Sequence, residues 1–173
     1  MSALGDHKKT LLHSAAFLGI TAALYYPVVT NIRRSVAGTL DDSYVILWLL
    51  WQVRHTIFDL DNSLSYSSFV ESPFGLEVTH STIINHLFAL PFTWVLGPVG
   101  SYNVMILSSF FLSALGMYLL VNEVTGCRAA AFFSGLAFSF SPFHTAFSAT
   151  GGMDASQMQY MPLTLLFLVR HER

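Results

Sequence analysis

Leu40-Asp41-Asp42-Ser43-Tyr44-Val45-Ile46-Leu47-Trp48-Leu49-Leu50-Trp51 sets two adjacent carboxylates against an apolar run that carries two tryptophans. The run continues to Phe58 with helical spacing, and its first half is apolar nearly all round. Its uncharged part is too short to cross a bilayer, so residues 43–58 read as a helix lying in the membrane interface. Trp48 and Trp51, three residues apart, fall on one helix face, and tryptophan favours that interfacial level. The acidic pair admits two readings. Aspartate is a preferred N-cap, so Asp41 or Asp42 starts the helix that follows. Carboxylates at a membrane surface are also placed to hold a metal ion or to take a proton from an acceptor.

The rest of the chain points to a membrane as well. Of its 173 residues 53% are hydrophobic, 14% aromatic and 10% charged, against roughly 25% charged in a soluble domain. An all-α, polytopic integral membrane protein is the class this predicts. A net charge of −2 and the lack of any basic run exclude a nucleic-acid partner. The single Cys127 excludes an intrachain disulfide.

Residues 10–32 contain 23 positions without a charge, and about 20 are enough to cross the hydrocarbon core. Residues 11–29 are therefore the first span, and Tyr25-Tyr26-Pro27 suits the membrane–water level better than a signal-peptide cleavage site. Residues 78–122 form a second uncharged stretch, of 45 positions, broken by Gly97-Pro98-Val99-Gly100. Its second part, 101–121, spans. Its first part, 81–96, contains Asn85, His86 and Pro91 and reads as a second interfacial helix. Residues 129–147 make the third span, ended by Ser141-Pro142-Phe143-His144, and 160–169 start a fourth with Pro162 in its first turn. Ser109, Ser113 and Gly116, at i, i+4 and i+7, either form a close helix contact or reflect the general use of small residues in membrane helices.

Between 30 and 77 lie three positive and six negative charges. Cytoplasmic loops favour Lys and Arg, so the 30–100 loop reads as external, against the pull of Arg33-Arg34. If 81–96 dips without crossing, Lys8, Lys9, Arg128, Arg170 and Arg173 all fall inside, and the N-terminus is cytoplasmic. Residues 62–73 read as loop, and Ser72-Pro73-Phe74-Gly75 as a turn. The short polar loop 150–157, with Asp154, is external.

In order and spacing these features resemble the polytopic membrane glycosyltransferases of the GT-C type. The matching pieces are Asp41-Asp42 with Trp48 and Trp51, Ser72-Pro73-Phe74-Gly75, Leu90-Pro91, Gly97-Pro98 with Tyr102-Asn103, Tyr118-Leu119-Leu120-Val121, Gly126-Cys127-Arg128-Ala129-Ala130, Ser141-Pro142-Phe143-His144 and Met161-Pro162-Leu163. They cover nearly the whole chain. The acidic position of the subgroup is followed by Trp six residues on, a spacing that Asp42 has and Asp41 lacks.

The resemblance implies a sugar donor carried on a polyprenyl phosphate, an active site on the external face, and a prokaryotic plasma membrane as its location. Glycosyl transfer passes through an oxocarbenium-like state, and a carboxylate must activate the acceptor hydroxyl or hold a metal, such as Mg or Mn, on the leaving phosphate. Asp42, with Asp41 beside it, is the catalytic candidate, and the helix dipole favours a negative charge there. Asp154 matches the second external loop, where a further acidic or polar residue is placed, and joins Asp42 as a candidate metal ligand, with His144 nearby. His80, His86 and Trp48 would line the same donor surface; each histidine also reads as a packing residue.

Members of that family have many more spans than the four counted here, the last of them short. The expectation is an N-terminal portion that needs a C-terminal remainder or a partner subunit, and that alone neither transfers sugar nor binds donor. The competing reading is a small non-enzymatic multi-span subunit, in which the Asp pair caps a helix and the aromatics are lipid anchors. A transporter is weaker, because the proposed spans carry no charge.

Overall fold

The computed structural model describes residues 2–59, 63–78, 83–152 and 156–172, without the side chains of residues 2–7, Leu40, Asp41 and Asp59. His80 and Asp154 lie outside the described residues. The chain is mostly helical, with α1 Ser2–Leu24, α2 Tyr26–Thr30, α3 Leu40–Asp59, α4 Ile83–Thr125, α5 Arg128–Ser139, α6 Pro142–Thr150 and α7 Tyr160–His171. Between α3 and α4 a two-stranded antiparallel ribbon pairs β1 Tyr66–Ser67 with β2 Leu76–Glu77.

Helix α4 is the spine. It is broken once, at Gly97, whose φ of 74° and ψ of 176° suit a residue without a Cβ. This is the break expected from Gly97-Pro98, and it divides α4 into 83–96 and 98–125. Among the described residues, α4 is the one helix long and apolar enough to cross a membrane.

Two of the expected spans are not single helices. The stretch 11–29 is interrupted at Tyr25 (φ −106°, ψ 28°), and α2 starts afresh with Pro27 in its first turn. Proline has no N–H to give to the carbonyl four residues earlier, so α1 cannot run through it. The stretch 129–147 is interrupted at Phe140 and Ser141, where the Ser141 side chain caps α6 and Pro142 occupies its first turn. The 12 residues of α5 reach about 18 Å, short of a hydrocarbon core of about 30 Å. The 62–73 stretch, expected to be loop, contains β1. The ribbon is fastened to α3 because Gln52 Nε2 donates to the Tyr66 carbonyl at 3.3 Å and Ser67 Oγ donates to Gln52 Oε1 at 3.2 Å.

Packing follows from the periodicities. Helix α3 buries Ser43, Ile46, Leu49, Leu50 and Val53, one stripe of a 3.6-residue repeat. That stripe meets Tyr102, Met105, Ile106 and Phe110 of α4 in the larger core. A second core joins Phe17 of α1, Ala114 and Tyr118 of α4 and Ala131 of α5. The small residues are used for close approach: a Cβ on Gly135 would stand 2.7 Å from the Ala114 carbonyl, and one on Gly116 would stand 3.2 Å from Pro162. At the far end of α4, Arg170 Nε donates to Glu123 Oε2 at 3.2 Å, so the ends of α4 and α7 lie together.

The loop between α2 and α3 packs Val36 and Ala37 into the larger core and is held by Asn103. The Asn103 amide donates to the carbonyls of Ile32 at 2.8 Å and Ser35 at 2.6 Å, and its oxygen accepts from the Ala37 N–H at 2.9 Å. Satisfying three backbone groups from one buried amide replaces the water those groups would otherwise need.

Candidate functional site

The first turn of α3 is built into the end of α6. The Thr39 N–H donates to the Ala149 carbonyl at 2.5 Å. Gly38, at φ 88°, passes so close to α6 that a Cβ there would stand 2.6 Å from the Ser148 carbonyl and 2.7 Å from that of Ala149. Helix α6 ends on Gly151 in the left-handed conformation (φ 80°, ψ 8°), which turns the chain against Ser43. Ser43 Oγ donates to the Thr39 carbonyl at 2.6 Å and lies 3.0 Å from the Tyr102 hydroxyl, which donates to the Ala37 carbonyl at 3.1 Å.

This arrangement revises the capping reading of the acidic pair. The helix begins at Leu40, so Asp41 and Asp42 are its second and third residues and Thr39 stands at the cap. A carboxylate at the third position commonly reaches back to the N–H of the capping residue. Here the Ala149 carbonyl already takes that N–H. Asp42 is exposed and makes no hydrogen bond or ion pair among the described residues.

His144 and His86 are both fully buried, which agrees with their reading as packing histidines and not with a place on the donor surface. The His144 ring stacks on Phe110 at 4.0 Å with 6° between planes. Its Nδ1 lies 2.7 Å from the Ser139 carbonyl, which can only accept, so Nδ1 carries a proton. Its Nε2 lies 3.1 Å from Ser109 Oγ, which also donates to the Ser156 carbonyl at 2.5 Å. His144 therefore ties α4, α5, α6 and the segment leading to α7 together from inside.

That segment closes a cleft. Gln157, Gln159 and Tyr160 meet Asn85 and Phe88 of 83–96 and Ser108 of 98–125 around a cavity of about 210 Å3. The Tyr160 hydroxyl donates to Asn85 Oδ1, and Gln159 Nε2 donates to Gln157 Oε1 at 2.7 Å. Gln159 Oε1 is buried and has no hydrogen-bond partner among the described residues. Ile84, Phe88, Met105, Leu112 and Leu163 make most of the lining apolar, with the amides and the Tyr160 hydroxyl as a few polar groups, a lining that suits an uncharged, largely apolar surface with a few hydrogen-bonding groups.

The two tryptophans of the opening stretch separate. Trp48 is half-buried against the larger core, whereas Trp51 stacks on His55 at 5.1 Å with 8° between planes and meets Phe69 edge-on at 5.2 Å. Among the described residues no three His, Cys, Asp or Glu side chains converge as metal ligands. The expected pairing of Asp42 with Asp154 falls outside the described residues, as does the role given to His80. Residues that sequence reading did not single out for a site are Asn103, Ser109, Asn85 and Tyr160. The signal of Asn85, Asn103 and Ser109 was polarity inside the long uncharged stretch 78–122.

No family model matches the chain, and no curated protein or solved structure matches it.

Proposed function

We propose that this chain belongs to an integral membrane glycosyltransferase of the GT-C type, with Asp42 as the carboxylate that activates the acceptor hydroxyl or holds the metal on the leaving phosphate. The observation that carries the reading is the junction of α3 with α6. It holds Ser43, the neighbour of Asp42, against the turn at Gly151, while the exposed Asp42 carboxylate makes no hydrogen bond or ion pair among the described residues. A base or metal ligand is effective only when held in place and left uncommitted. The cleft, uncharged and mostly apolar with a few amides, would take the sugar on its C–H faces and bind a few of its hydroxyls.

Membrane integration is part of the same reading. Large apolar side chains face outward on several elements at once, among them Leu11 and Leu12 of α1, Phe133 of α5 and Phe167 of α7. Side chains so exposed on neighbouring helices mark contact with lipid or a partner. Lys8, Lys9, Arg128 and Arg170 would face the cytoplasm.

The test is transfer of a labelled sugar from a polyprenyl phosphate in membranes carrying the gene product that contains this chain, against membranes without it. Donor-dependent incorporation supports the reading; identical counts in both membranes remove it.

A further inference from the structure

We propose that a second cavity, at the far end of α3 from Asp42, is a site for the phosphate of an anionic membrane lipid. The cavity is about 340 Å3 and is lined by Trp51, Arg54, His55, Phe58 and Trp94. It is organised by ring contacts: Trp51 stacks on His55, and Phe58 meets Trp94 edge-on at 5.0 Å. Arg54 makes no hydrogen bond or ion pair among the described residues.

The lining is richer in donors than in acceptors. The two indole N–H groups and the guanidinium only donate, the His55 imidazole offers a donor and an acceptor, and the phenyl ring does neither. A phosphate only accepts, and its geometry matches the guanidinium fork. A lipid rather than free phosphate is favoured by what lies beside the cavity. On 83–96, Trp94 is 60% exposed and the adjacent Val95 67%, an apolar surface on which acyl chains can lie. The inference rests on the membrane part of the proposed function and not on glycosyl transfer.

The experiment uses the full chain in neutral-lipid nanodiscs and reads tryptophan fluorescence, since Trp51 and Trp94 both wall the cavity. Short-chain phosphatidylglycerol, phosphatidylcholine and inorganic phosphate are titrated separately. The expected result is a saturable change with phosphatidylglycerol, at least tenfold weaker responses to the other two, and weakening on the order of tenfold for phosphatidylglycerol in Arg54→Gln, as for loss of a charge-assisted hydrogen bond. Arg54→Lys, which keeps the charge but not the fork, should fall between. Equal responses to the two lipids, or an Arg54→Gln chain that binds like the parent, overturn the site while leaving membrane integration standing. Inorganic phosphate binding as tightly as the lipid overturns the lipid assignment. Failure of the parent chain to enter nanodiscs overturns both.

Discussion

The backbone N–H of Thr39 donates to the carbonyl oxygen of Ala149 at 2.5 Å, across 110 residues of sequence. The turn before α3 and the end of α6 are thereby one unit, and the hydrogen bond that Asp42 would use to close its own helix is already spent. That Asp42 makes no hydrogen bond among the described residues is thus a consequence of tertiary structure and not of the local sequence.

The junction should break under a single methyl group. Gly38→Ala adds a Cβ 2.6 Å from the Ser148 carbonyl at a φ of 88°, where the strain is about 1–3 kcal/mol. Gly19→Ala, in the middle of α1 with nothing within 4 Å of the added atom, should instead raise stability by up to about 1 kcal/mol. Thermal unfolding in one detergent compares the two; an unchanged midpoint for Gly38→Ala would refute the close contact.

Asn103 is the clamp for the loop that precedes α3. Asn103→Leu keeps the volume but leaves the Ile32 and Ser35 carbonyls and the Ala37 N–H without their partner. Losing one buried partner costs about 1–3 kcal/mol. The loop carries Arg33 and Arg34, both exposed, so limited trypsin digestion reads the effect. Cleavage there should accelerate several-fold in the variant, while cleavage at Arg54, which sits within α3, should not.

The membrane arrangement is open to labelling. With Cys127→Ser as background, single cysteines replace Lys8, Ser65, Pro98 and Glu172, all of them exposed. Ser101 would be unsuitable because it is fully buried. Impermeant reagent applied outside should reach positions 65 and 98, and should reach 8 and 172 only after permeabilisation. Labelling of position 98 together with position 8 would mean that 83–96 crosses the bilayer, which the proposed topology denies.

The opening stretch was legible because its features are local. Apolar spacing gave the helix over 43–58, and Gly97-Pro98 gave the break in α4, since a glycine beside a proline disrupts a helix whatever surrounds it. The interruptions at Tyr25 and Phe140 carried the same kind of signal in Pro27 and Pro142, which were read as marking span ends while the spans were still extended past them to 29 and 147. The ribbon was not legible, because two-residue strands have no periodicity to read. His144 and His86 carried two readings, a donor surface from the resemblance and a packing role from their apolar surroundings, and sequence could not name their partners. His144 is buried because Ser109 and Ser139 supply partners from elsewhere in the chain, and such pairings are invisible before folding. The amide cleft was missed for the same reason: Asn85, Gln159 and Tyr160 are far apart in sequence and meet only through the turn of the chain after α6.

The most direct measurement of the central claim is sugar transfer by Asp42→Asn beside Asp41→Asn, in the gene product that contains this chain. Asparagine keeps the shape of the side chain and its place in the first turn, and Asp42 has no bond to lose among the described residues. Expression and thermal midpoint should therefore match the parent. Transfer should fall on the order of 100-fold or more for Asp42→Asn, as for loss of a general base or metal ligand, and by much less for Asp41→Asn. Retained transfer in Asp42→Asn, or equal losses in the two variants, would contradict the assignment.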